Sequence, residues 1–210
     1  MVAHMSVNQF VEQEDVFRSA FGRTLTVGML SLCTVGALGS LSSEGPTALL
    51  TIWPWLIMIA GSSWALYWNP SVVVTNGGVR VVNIFRTIDV PWPSLEGIDT
   101  QWALTLDTTF GTFRAWAAPA PGRQALRRST AADLRIGGRR RNETVRPSDL
   151  PNTDSGAAAA VVQQRWQRLR TAGHLDAAVV EFERAPVRWH WRLFAGGAVT
   201  AVLAVTGLLV

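Results

Sequence analysis

Two uncharged apolar runs open the chain's pattern, Thr24–Ser43 and Thr47–Trp68, the first bounded by Arg23 and Glu44. As helices rising 1.5 Å per residue, each reaches about 30 Å, the thickness of a bilayer's hydrocarbon core. The link between them, Ser-Ser-Glu-Gly-Pro, has room only for a tight turn. Residues 24–68 therefore read as a transmembrane helical hairpin. Gly28, Ser31, Gly36, Ala37, Gly39 and Ser40 would let a second helix approach the first run closely. A third run, Leu193–Val210, spans about 27 Å as a helix and places a C-terminal transmembrane helix in residues 187–210. Residues 1–23 carry Glu12, Glu14 and Asp15, and a second span follows the first at once. That is too long and acidic a leader for a cleaved signal, so the first run reads as a retained span.

Beyond Trp68 the period changes. Asn69-Pro70 predicts a helix end, because the residue before proline avoids the α region. β-Branched Ser71–Thr75 and Val79–Ile84 flank Asn76–Gly78, a tight-turn signal. Arg86–Val90 follows, then a corner at Pro91–Ser94. Leu95–Thr100, Trp102–Asp107 and Thr112–Ala117 continue, with a turn at Phe110-Gly111. Short strands at close spacing with turn residues between them predict an antiparallel meander over residues 69–118.

The pattern then stops. Residues 119–156 are rich in Pro, Gly, Ser, Asp and Arg, without period, and read as a disordered insertion. In Ala157–Ala172, Ala158, Val162, Trp166 and Leu169 share one helical stripe, with Gly173 placed to end the helix. A second short helix is expected over Leu175–Arg184, so residues 157–186 form a helical cap and a connection to the last span. The fold class is thus membrane α plus α+β: a helical hairpin, an antiparallel β-roll capped by a helix, and a third span.

Charge sets an orientation. The 19 basic residues are all Arg, and charged residues make up only 16% of the chain. Arginines crowd the segment between the second and third spans and flank the spans at Arg18, Arg23, Arg184, Arg188 and Arg192, while the hairpin turn has none. Positive residues near span ends stay cytoplasmic. The expectation is a multi-pass inner-membrane protein, N-terminus and β-roll inside, C-terminus outside. Trp64, Tyr67 and Trp68 close the second span and Trp189 and Trp191 open the third. These are interface anchors, apolar rings with one hydrogen-bonding edge.

Strands followed by an amphipathic helix is the order of a pleckstrin-homology (PH) roll. The stretch "NPSVVVTNGGVRVVNIFRTIDVPWPSLEGID", followed by "LTLDTTFGTFRAWA", resembles the bacterial PH domains of actinobacterial membrane proteins, including the low molecular weight protein antigen 6 family. The resemblance rests on the T-x-G-x-x-V hairpin, the R-T-x-x-x-P-W strand and corner, and the flanking spans. It implies a docking or scaffold module at the membrane. PH folds that bind phosphoinositides cluster basic residues on the first hairpin; here that hairpin offers only Arg80, with Arg86 a strand later.

The insertion is a second candidate site. Arg123, Arg127, Arg128, Arg135, Arg139, Arg140 and Arg141 could hold the loop to anionic lipid, each basic group near such a surface contributing about 1 kcal/mol. The competing reading is a solvated loop. The run lacks aromatic residues that would stack on bases, so no nucleic acid is expected. Trp102, Trp116 and Trp166 are expected in the core, and Pro91–Pro93 as a packed corner. Pro54, between Trp53 and Trp55, could kink the second span. His4, His174 and His190 stand apart, no nucleophile elbow or phosphate loop occurs, and Cys33 is the single cysteine. No catalytic residue, metal or cofactor is expected. Partners are expected to be membrane lipids and another membrane or cytoplasmic protein, with self-association through the small residues as an option. The functional expectation is a docking module; the alternatives are a lipid-binding organiser and an accessory subunit of a membrane complex.

Overall fold

The computed structural model describes residues 14–120, 153–173 and 185–207. Four α-helices and eight strands are described: α1 (Ala20–Glu44), α2 (Pro46–Ser63), α3 (Asp154–Thr171), α4 (Trp191–Gly207), β1 (Asp15–Phe17), β2 (Ser71–Val74), β3 (Gly78–Val82), β4 (Arg86–Pro91), β5 (Leu95–Asp99), β6 (Ala103–Thr108), β7 (Gly111–Pro119) and β8 (Val187–Trp189). The expected helix Leu175–Arg184 lies outside the described residues.

The apolar helices pack side by side, α1 on α2 and α2 on α4. Gly45 (φ 81°) turns the chain between the first two in a conformation that favours glycine, and Pro46 starts α2 where its missing N–H costs nothing. α1 is long and apolar enough to cross a membrane; Trp191–Thr206 is a shorter apolar helix. Pro54 sits inside α2 without ending it.

The helical run ends at Trp68, as expected, but Asn69 does not leave the helical region. Trp64–Trp68 widens into a π-helical turn, and Asn69 keeps right-handed helical angles (φ −66°, ψ −41°). The widened turn is the physical reason. In an α turn the Pro70 ring would crowd the Leu66 carbonyl. In the π turn Asn69 N–H instead reaches Trp64 O at 2.9 Å, and the Leu66 carbonyl turns outward.

Two antiparallel sheets follow, in strand orders β1-β2-β3-β4-β8 and β5-β6-β7. Alternation decides which side chains face inward. Val72, Val74, Val79, Val81, Ile88 and Val90 from the first sheet are buried against Leu95, Leu104, Leu106 and Ala115 of the second. The corner works as expected: Trp92 is buried and its indole N–H donates to Thr75 O at 3.0 Å. α3 closes the sandwich. Ala158 and Val162 are buried, and Trp166 and Leu169 pack on the same core. Thr153 caps α3, its hydroxyl accepting from Gly156 N–H at 3.1 Å.

The additions to the expected meander are β1 and β8. β1 precedes the first apolar helix and pairs with β2, which follows the second (Phe17↔Val72). β8 precedes α4 and pairs with β4 (Arg86↔Trp189). Segments beside the apolar helices therefore form both edges of the first sheet, covering β2 and β4 with edge strands of only three residues.

Candidate functional site

The first hairpin holds no exposed phosphate cradle. Arg80 on β3 hydrogen-bonds and pairs with Asp89 on β4, which holds its guanidinium above the ordinary range. Asp89 also accepts from Arg188 on β8 at 3.1 Å. One carboxylate therefore stitches three neighbouring strands and occupies the hairpin's own cation.

The other end of the sandwich, against the helix ends, is where the chain builds a concave surface. A half-open cleft of about 810 Å³ lies between the first turn of α1 (Phe21, Gly22), the π turn (Leu66, Tyr67), the β3–β4 loop (Asn83, Ile84, Phe85), the start of β6 with the bend before it (Ala103, Trp102) and β7 (Trp116, Ala117). Trp189 of β8 completes the wall. Among the described residues, Arg86 and Arg114 are the cationic side chains of the lining and no carboxylate belongs to it.

Local sequence explains why the cleft holds its shape. Pro70 has no N–H, so the Leu66 carbonyl lacks the donor it would find four residues on in an α-helix. The Trp116 indole supplies one, at 2.7 Å. Asn83, just past β3, acts as a short piece of strand. Its amide nitrogen donates to Arg114 O at 2.9 Å and its oxygen accepts from Trp116 N–H at 2.8 Å. His190 locks the loop from the other side, with its Nδ1 3.0 Å from Ile84 O and its Nε2 2.9 Å from the Thr87 hydroxyl. A neutral ring protonated at Nδ1 donates to the carbonyl and accepts from the hydroxyl. Ser19, the N-cap of α1, donates to Asp154 in the first turn of α3, which ties the start of α1 to the capping helix.

Trp102 and Trp116 are not core residues. They are 70% and 52% exposed, and they line the cleft. Trp116 lies on β7 between the inward-facing Ala115 and Ala117, so the alternating pleat turns its indole outward, while Trp102 stands in the bend just before β6, outside the pleat. Among the anchor residues, Trp64, Tyr67 and Trp68 form the π turn, Trp189 ends β8 and Trp191 begins α4. Trp191 meets Trp189 and Phe194, and Phe194 stacks on Phe85 at 5.1 Å, so one aromatic cluster joins α4 to the β3–β4 loop. Arg123, Arg127, Arg128, Arg135, Arg139, Arg140 and Arg141 lie outside the described residues. Among the described residues no group of His, Cys, Asp and Glu could hold a metal ion.

Arg114 is a site residue that sequence reasoning passed over, and Arg86 was weighed only as a neighbour of the first hairpin. They lie on different sheets, and Asn83, in the loop before β4, hydrogen-bonds across to β7. A signal for β8 was present in the alternation of Val187, Trp189 and Trp191 with Arg188, His190 and Arg192.

The sequence profile described as Bacterial PH domain matches residues 69–186, more than half of the chain. The chain belongs to that bacterial PH-domain family, and its paired sheets with a C-terminal helix are the corresponding fold. PH domains are, as a class, binding modules. The strands β1 and β8 fall outside the matched residues. No curated protein and no solved structure matches the chain.

Proposed function

We propose that the chain is a three-span membrane protein whose PH domain, on the cytoplasmic face, serves as a non-catalytic docking module for another membrane or cytoplasmic protein. The observation that carries this reading is the building of β1 and β8 into the first sheet. A domain on a loose tether samples many orientations. This one is clamped at three points, before α1, after the π turn and before α4, so whatever it binds meets it at one fixed angle to the helices. Fixed orientation lowers the entropic cost of docking.

Lipid as the surroundings of α1, α2 and α4 is supported by their surfaces. Val27, Leu32, Val35 and Leu38 on α1 and Val199, Val202 and Val205 on α4 are exposed. So large an apolar face is costly in water and suited to hydrocarbon. The ends of α1, of the π turn and of α4 that adjoin the β-domain also lie beside its arginines, which supports the cytoplasmic orientation. The hairpin, corner and flanking spans support a closer kinship with the actinobacterial antigen 6 group. Purification from native membranes in several mild detergents, followed by mass spectrometry, tests the docking role. A recurrent stoichiometric partner is expected; recovery of the chain alone in every detergent would overturn it.

A further inference from the structure

We propose that the cleft between the helix ends and the β-sandwich holds one anionic phospholipid, with its phosphate between Arg86 and Arg114 and its acyl chains along Phe21, Leu66 and Trp116. The inference rests on the membrane reading above and deepens it. It concerns a different place from the first hairpin, whose Arg80 is already held by Asp89.

Three observations fix the occupant. The cleft is continuous with the apolar helices: Phe21 lies in the first turn of α1, Tyr67 in the last turn of the second helix, and Trp189 two residues before α4. In a bilayer this is headgroup depth, where exposed indoles also favour lying. The volume, about 810 Å³, suits a headgroup with the upper parts of its chains and is larger than a lone phosphate needs. The charge is complementary. Among the described residues, Arg86 and Arg114 line the cleft without a carboxylate, and neither forms an ion pair. Arg86 lies over the Trp189 ring, 5.9 Å from its centroid, which holds the guanidinium at the cleft's edge. Guanidinium planes bind phosphate oxygens in pairs, so two of them can satisfy a phosphodiester.

The test is native mass spectrometry of the full chain in neutral detergent, titrated with short-chain phosphatidylglycerol and, separately, with phosphatidylcholine. One phosphatidylglycerol per chain is expected, preferred by about tenfold or more, because both lipids offer a phosphodiester but the cationic choline of phosphatidylcholine is repelled by the two guanidiniums. Arg86→Gln with Arg114→Gln should bring the preference to within about twofold, whereas Arg139→Gln, Arg140→Gln and Arg141→Gln together should leave it unchanged. Millimolar glycerol 3-phosphate should not displace the lipid, because it lacks the chains the groove holds. Equal binding of the two lipids, a preference that survives the double substitution, or displacement by glycerol 3-phosphate would overturn the proposal. A chain that stays monodisperse without detergent would instead overturn the membrane reading on which it rests.

Discussion

Replacing Trp116 by Phe isolates one bond that joins the helices to the sandwich. The ring stays, and the indole N–H that reaches Leu66 O at 2.7 Å is lost. A typical intramolecular hydrogen bond contributes about 1 kcal/mol net, and a carbonyl left without a partner costs about 1–3 kcal/mol. Pro70 cannot replace the donor. Trp116 is 52% exposed, so water can reach the carbonyl and the lower end applies, about 1 kcal/mol. For a chain of this size that is a fall of about 2–4 °C in Tm. The assay is thermal unfolding of the full chain in detergent, with Trp102→Phe as control. Trp102 is 70% exposed on the same cleft, and the same ring contraction there should shift Tm by less than about 1 °C. Equal shifts for the two variants would refute the reasoning, since only ring size would then matter.

Further outcomes follow from the same geometry. A Cβ at Gly78 would stand 2.2 Å from Val90 O, within the β3–β4 pairing, so Gly78→Ala should cost about 3 kcal/mol and reduce accumulation of folded chain, while Gly77→Ala, with open space around it, should be tolerated. At Gly22 a Cβ would meet Tyr67 O at 2.7 Å, so Gly22→Ala should lower Tm in detergent by several degrees, whereas Gly28→Ala should not. Asn83→Ala removes both bonds to β7, and about 2 kcal/mol of lost stability is expected, read as a lower denaturation midpoint. Asp89→Asn weakens the partly exposed pairs to Arg80 and Arg188, and a loss of about 1 kcal/mol that shrinks in high salt is the expected result.

Much of the sandwich was legible because short β-branched and apolar runs are set apart by turn residues. Val72, Val74, Val79 and Val81 alternate with their neighbours, and Ala158, Val162, Trp166 and Leu169 mark the helix face that covers them. What escaped depends on distant pairing. β1 has three residues, too few to carry a period, β8 carries only a short alternation beside the last apolar run, and the two pair with the edges of β2 and β4. Trp102 and Trp116 were placed inside by size, although Trp102 stands in the bend before β6 and the pleat of β7 turns Trp116 outward. Asn69 was expected to leave the helical region before Pro70. The π turn, which propensity does not foresee, lets it stay. The cleft has no linear signature, since its arginines come from opposite sheets and its floor from two helix ends.

The central claim is that these helices cross a bilayer and hold the β-domain on the inner side. Single-cysteine labelling tests it most directly. In a Cys33→Ser background, Asn76→Cys marks the exposed β2–β3 turn and Ser43→Cys marks the far end of α1. With a membrane-impermeant maleimide on intact cells, the account predicts labelling at Ser43→Cys, and at Asn76→Cys only after permeabilisation. Labelling of Asn76→Cys in intact cells, with Ser43→Cys protected, would contradict it.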